Sequence, residues 1–353
     1  MADRPTTALD EHLYRDSAGR WVIRPYQPGD ETQILSLFRR IFGVDRSLEH
    51  WRWKFQDNPA GQQIILAVAD TGEIIGQHAG LPVRVAKGEE TFLFVHSVDA
   101  MVDPRFRQGL NRQRLMVSLL VRHDREFLGG GPGKGSIGYG FPNRLNYRLL
   151  VGTNTCEALH PVIQLGKEFT GPGADLRGTR RRAGSWRYRI DQVVRLEPSF
   201  DQVWHQCHQD LALAAIRDSQ YLNWRYADCP DVSYTILVAT DRFTGRPSGA
   251  AVLRLVLPGR PVALLMDWLV PSGREDLAQM LLDHCHALAL ASGLQRIEAW
   301  FPEYTTQYHF FTGRGYESAP TIYHLIARQC APEPLLKWIR DHWYYTMGDS
   351  DIY

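Results

Sequence analysis

Leu48-Glu49-His50-Trp51-Arg52-Trp53 and Tyr221-Leu222-Asn223-Trp224-Arg225-Tyr226 share a pattern: an apolar residue three before a Trp-Arg-aromatic triplet. Trp51 answers Trp224, 173 residues on. Working outward, Pro59 answers Pro230, LAVAD (66–70) answers LVATD (237–241), and Ile23 and Asp30 answer Val194 and Asp201, all at 171. VDAMV (98–102) answers MDWLV (266–270) at 168, and Phe141-Pro142 answers Phe301-Pro302 at 160. Correspondences in one order with so small a drift describe one fold used twice. Most of the drift falls between Glu126 and Ile137, where the first copy carries FLGGGPGKGS and the second a short SGLQR turn. The stretch GKEFTGPGADLRGTRRRAGSWRYR (166–189) is rich in Gly, Pro and Arg and reads as a linker. This divides the chain into an extension (1–20), a first domain (21–165), a linker (166–190), a second domain (191–330) and an aromatic, acidic tail (331–353).

Within each copy the apolar period alternates between strand and helix. WVIRPY is a strand; Asp30 is placed to cap the helix ETQILSLFRRIF, whose apolar face is Ile34, Leu37, Phe38 and Ile41. IILAVA, IIGQHAGLPVRVA and TFLFVHSVDAMV are three strands joined by the short turns DTGE and KGEE. A helix follows over Asn111–Phe127, then the strand SIGYGFP and a helix from Asn143. The order predicts an α/β (α+β) sandwich: two domains, each a mostly antiparallel mixed sheet flanked by helices.

Composition narrows the function classes. The chain has 353 residues, 44% of them apolar, and a formal net charge of +1, so no global field steers it to nucleic acid or anionic lipid. No apolar run reaches the ~20 residues of a membrane helix, and the first twenty residues lack a signal-peptide core, so the expected place is the cytoplasm. Five scattered cysteines argue against a disulfide framework. His205, Cys207, His208 and His284, Cys285, His286 lie in helices without convergent spacing, so no metal is expected. GGGPGKGS (129–136) is not a phosphate loop, because Lys134 is followed by Gly135.

The strand ending in Met101-Val102-Asp103-Pro104 runs into Arg105-Phe106-Arg107-Gln108-Gly109-Leu110-Asn111 and a long helix. This resembles motif A of the GNAT superfamily of N-acetyltransferases, and the duplicated pattern resembles the tandem-GNAT type. A helix N-terminus presents unpaired N–H groups and a positive dipole end, and a glycine lets a pyrophosphate approach. Arg105, Arg107, Arg112 and Arg114 add cationic charge there. The resemblance implies acetyl-CoA or another acyl-CoA as co-substrate, bound by Val98, Ala100, Met101, Val102, Arg107, Gln108, Gly109, Leu110, Asn111, Arg112 and Asn143. Its pantetheine would lie between strands that part at Val98–Val102 and Ile137–Pro142. The second copy has Glu275-Asp276 at the matching helix start, so the donor is assigned to the first copy.

The implied reaction is acyl transfer from the thioester to a primary amine of a small molecule or peptide, by a monomer or homodimer. An acyl carrier protein is an alternative donor. Tyr147, on the helix after the second parting strand, is the candidate general acid, and Phe311 is taken as its counterpart. Asp99 could be a base if its apolar strand raises its pKa, but Asp267 at the matching place suggests a structural bond instead. His96 is the alternative base, and Tyr139 lies beside the thioester position. The tail can enter the cleft between the copies and offer Asp349 and Asp351 to a cationic amine. The competing functions are an aminoacyl-tRNA-dependent peptidyltransferase of the Fem type and a non-catalytic acyl-CoA-binding protein.

Overall fold

The computed structural model describes residues 13–16, 19–106, 111–169, 186–255 and 259–352. The first half runs β1 (Leu13–Asp16), β2 (Gly19–Pro25), α1 (Glu31–Phe42), α2 (Leu48–Trp51), β3 (Gln63–Ala69), β4 (Ile74–Lys87), β5 (Glu90–Val102), α3 (Asn111–Phe127), β6 (Ile137–Gly140), α4 (Arg144–Gly152) and β7 (Glu157–Glu168). The second repeats it with β8 (Tyr188–Val193), α5 (Asp201–His208), β9 (Leu213–Ala215), α6 (Ser219–Leu222), β10 (Thr235–Asp241), β11 (Pro247–Arg254) and β12 (Val262–Leu269). It continues with α7 (Glu275–Ala291), β13 (Arg296–Trp300), α8 (Thr306–Thr312) and β14 (Glu317–Gln329), and the tail adds α9 (Leu336–Ile339) and β15 (Trp343–Tyr344). This is the mixed, mostly antiparallel α/β architecture that the apolar periods predict. Among the described residues, no helix is long and apolar enough to cross a membrane.

The two halves build a single sheet, in the order β1-β2-β3-β4-β5-β6-β14-β7-β13-β12-β11-β10-β8. Its centre is an exchange of strands. The first half's β7 lies antiparallel to the second half's β13, and the second half's β14 lies antiparallel to the first half's β6. The two exchanged strands then pair with each other. The expected linker is therefore bounded by sheet on both sides: β7 ends at Glu168, and β8 starts at Tyr188.

Each face of the first half has its own apolar layer. Ile34, Leu37 and Phe38 of α1 pack with Trp51, Phe55, Leu66, Val98 and Met101 on one side. Leu115 and Leu119 of α3 pack with Trp21, Ile23, Ile65 and Val102 on the other. Gly80 on β4 permits that second contact, since a Cβ there would sit 2.4 Å from Val95 Cγ1 and 2.9 Å from His123 Nε2. Asp30 does precede α1, but its carboxylate does not cap the helix. It accepts instead from Arg24 (2.7 and 2.8 Å) and from the Gln27 amide (2.8 Å), a stronger charge-assisted arrangement.

The repeat's register differs from the aromatic match at one place. α2 and α6 each run into a π-helical turn, over Arg52–Gln56 and Asn223–Ala227, and superimpose at a separation of 171. Trp224 therefore corresponds to Trp53, not Trp51. The two indoles stack at 5.8 Å, and each Nε1–H donates to the other's carbonyl oxygen, at 2.5 and 2.7 Å. That reciprocal pair ties the two halves together.

Candidate functional site

The site begins where two strands part. β5 pairs with β4 along nearly its whole length, but with β6 only at Phe94–Ile137, Val95–Gly138 and His96–Tyr139. From Ser97 to Val102 its second edge meets no strand among the described residues. Two features of sequence cause the divergence. Pro142 follows β6 without an N–H to offer, and Asp99 sits at φ 46°, where the β4–β5 register slips by one residue. A bulge at this point ends the pairing with β6, and the Asp99 carbonyl oxygen accepts from Gln77 Nε2 at 3.2 Å. Val98 and Met101 point into the layer beneath α1, Val102 points toward α3, and Ser97 and Ala100 are exposed.

At the parting point His96 is 3% exposed and stacks on Tyr139 at 4.9 Å and 10°. Trp343 of the tail closes against Tyr139 edge-on, also at 4.9 Å. Burial pushes the His96 imidazolium down to about 4, an effect that Asp351 only partly offsets, so the ring is neutral near pH 7. Burial also holds the Tyr139 phenol well above its ordinary value, with Asp349 adding to it.

Asp99 corrects an expectation. Burial alone would raise its carboxyl, but Lys54 and Arg46 hold it at about 2. Lys54 Nζ lies 3.2 Å from Oδ1, and Arg46 pairs with Oδ2. A carboxylate so neutralised is a poor proton acceptor and a good structural anchor, which is the alternative that Asp267 suggested. Asp351 arrives from the tail, with Oδ2 3.4 Å from Lys54 Nζ and Oδ1 3.6 Å from His96 Nε2. Burial opposes its ionisation, but Lys54 prevails and keeps the carboxyl below its ordinary value.

Tyr147 lies on α4, half-buried, and its ring stacks on His324 of β14 at 4.1 Å and 23°. Phe311, its expected counterpart, is fully buried among Trp268, Phe301 and Tyr316, so the two positions differ in environment. Asn143 precedes α4, its Oδ1 accepting the Asn146 amide at 3.1 Å. Arg107, Gln108, Gly109 and Leu110 lie outside the described residues, as do the side chains of Asn111 and Arg112, whose backbone opens α3. Arg105 is already engaged, by Asp103 at 3.0 Å and Glu73 at 2.5 Å, rather than free for a phosphate.

The second half carries the same frame with a different filling. Arg217, 171 residues after Arg46, pairs with Asp267 at 2.7 Å and with Asp349 at 2.5 Å, all three buried. Tyr226 donates to Asp267 at 3.0 Å. The tail is pressed onto this cluster: a Cβ on Gly348 would lie 2.0 Å from Tyr226 Oη and 3.0 Å from the Met266 carbonyl oxygen. On the far side of β12 a cavity of ≈ 420 Å³ opens between Trp268, the turn Pro271–Arg274, Phe310 and Arg314. Glu275 is among the residues lining it, and Asp276 beside it is 60% exposed.

Sequence reading missed Arg46 and Lys54. The signal was the uniform separation of 171, which sets Arg46 against Arg217 and Lys54 against Arg225. Among the described residues, no group of three or more His, Cys, Asp or Glu could hold a metal ion.

Residues 22–127 match the family model of the acetyltransferase (GNAT) domain. No match was found among curated proteins. Among solved structures, a conserved protein of unknown function from Enterococcus faecalis V583, described as a probable N-acyltransferase, is 13% identical with a TM-score of 0.60, covering 88% of this chain and 72% of that one. A GCN5-related N-acetyltransferase from Kribbella flavida is 13% identical with a TM-score of 0.58, covering 88% and 71%. Residues 22–127 are thus similar to the acetyltransferase (GNAT) domain, within a chain that shares its fold with both of these structures over 88% of its length.

Proposed function

We propose that the protein is an N-acyltransferase that moves an acyl group from acyl-CoA to a primary amine, and that the reaction takes place in the first half. The observation that carries this reading is the end of β5–β6 pairing at His96–Tyr139, with the bulge at Asp99 just beyond it. An extended amide-bearing arm can add to the edge of β5 beyond His96 as a further strand does, which is where Val98, Ala100, Met101 and Val102 would serve the donor. The start of α3 at Asn111 suits the phosphates, with Arg107, Gln108, Gly109 and Leu110 preceding it in sequence, Arg112 following it, and Asn143 preceding α4.

In the step itself the amine nitrogen bonds to the thioester carbonyl carbon, the C–S bond breaks, and the sulfur leaves as a thiolate. The amine proton leaves through water, since Asp99 is held ionised at about 2 and His96 is a weak base at about 4. Tyr147 supplies the thiolate proton from α4, and Tyr139 and His96 form the wall against which the amine is set. Acetyl-CoA with a polyamine, an amino sugar or a lysine peptide tests the reading by thiol release and amide mass. Tyr147→Phe should then lower kcat by about 10²–10⁴ with little change in Tm. A kcat above about a third of wild type would remove Tyr147 from that role.

A further inference from the structure

Three carboxylates approach the junction of the halves, and their surroundings differ. Asp99 is 6% exposed and shared between Lys54 and Arg46. Asp349 is 2% exposed and spent on Arg217. Asp351 is 32% exposed. Its single cationic neighbour among the described residues, Lys54, stands 3.4 Å from Oδ2, and Oδ1 has only a neutral His96 at 3.6 Å, beyond good hydrogen-bond distance. One oxygen of an ionised carboxylate is therefore open at the point where β5 and β6 part.

The chain holds this oxygen in place from both sides. Arg225 donates to the carbonyl oxygens of Gly348 (3.2 Å) and Ser350 (3.0 Å), and Thr346 and Asp349 form a reciprocal cap around Met347–Asp349. Upstream, Tyr344 donates to the Trp268 carbonyl oxygen at 3.0 Å. The same anchors fill the second half's equivalent position, where Gly348 lies against Tyr226 and Asp267. One segment thus closes the second site and delivers a carboxylate to the first.

We propose that Asp351 binds the acceptor, its Oδ1 receiving an N–H of a protonated primary amine beside His96, so that the acceptor class is cationic amines. This rests on the acyltransferase reading. Binding a cation here restores a hydrogen bond that Oδ1 otherwise lacks, and a charge-assisted bond is the stronger kind. Arg46 and Lys54 balance Asp99 and part of Asp351, and Arg225, the further cation that acts on His96, is turned to the carbonyl oxygens of Gly348 and Ser350.

The test is Asp351→Asn, with Asp351→Glu as the conservative variant, assayed on whichever amine the wild type acylates fastest. Asp351→Asn should raise KM for the amine by about tenfold to a hundredfold, leave KM for acetyl-CoA unchanged, and keep kcat within about threefold. Asp351→Glu should recover part of the loss, which a merely structural defect would not. An amine KM within twofold of wild type in Asp351→Asn, or a fall in kcat with both KM values unchanged, would overturn this inference alone. A wild-type protein that acylates no amine would overturn the acyltransferase reading, and this inference with it.

Discussion

Arg217→Met places two carboxylates in the protein interior without their cation. Arg217 is 1% exposed, and its guanidinium serves Asp267, Asp349 and the Ala215 carbonyl oxygen while lying 5.2 Å over the Tyr344 ring. Removing one partner of a buried ion pair costs about 3–5 kcal/mol, because the remaining charge is left unsolvated. Unfolding entropy of roughly 2.1 cal/mol/K per residue over 353 residues gives about 0.7 kcal/mol per degree, hence a fall in Tm of about 4–7 °C. The loss should shrink as pH falls from 7 to 5, since burial already raises the Asp349 carboxyl and protonating it relieves the stranded charge. Adding Asp267→Asn and Asp349→Asn to Arg217→Met should recover at least half the loss, because no buried charge then remains. Arg46→Met should cost less, about 1–3 kcal/mol, since Asp99 keeps Lys54 at 3.2 Å. Calorimetry of the three variants beside the wild type decides the matter. A Tm for Arg217→Met within 1 °C of wild type, or a triple variant no better than the single one, would refute the reasoning.

Two further outcomes follow from the geometry. Residues 1–168 expressed alone lack β14 and β13, leaving β6 and β7 with open edges, so the fragment should associate or aggregate on size exclusion; a folded, soluble monomer would contradict the exchanged-strand fold. His96 is buried neutral with its pKa lowered to about 4, and His78 is lowered well below 6.5, both chiefly by burial. Their contribution to stability is fully present above pH 6.5 and is lost below it, because the unfolded chain takes up protons that the native rings refuse. Denaturant unfolding should weaken by about 1.4 kcal/mol per pH unit and per ring between pH 6.5 and 5, and a flat profile there would count against both assignments.

How much the sequence discloses depends on whether a signal is local. Strands, helices and their order follow from apolar period, which each segment carries by itself; α1 and α3 fall at the predicted residues. The aromatic match was read two residues off at Trp51-Arg52-Trp53, where two tryptophans offer two equally good matches to Trp224 and the π-helical turns set Trp53 against it. The strand exchange was not legible, since β7 and β14 have similar apolar patterns and nothing in either names the edge it joins. Asp99 shows the same limit in electrostatics. Its apolar neighbours in β5 imply a raised pKa, but Arg46 and Lys54 reach it from 53 and 45 residues earlier and reverse the sign. Buried cations are uncommon enough that a lone Arg or Lys reads as surface. The tail's burial could be read from its aromatic residues, whereas the division of labour between Asp349 and Asp351 needed coordinates.

Amide hydrogen exchange with and without acetyl-CoA tests the site most directly, because it needs no knowledge of the acceptor. The open edge of β5 should gain protection over Ser97–Val102 when the donor binds, and the start of α3 should gain it too, while Met266–Arg274 of the second half stays unchanged. Protection confined to Met266–Arg274, or none in either half at saturating donor, would contradict a reaction centred on the parted strands of the first half.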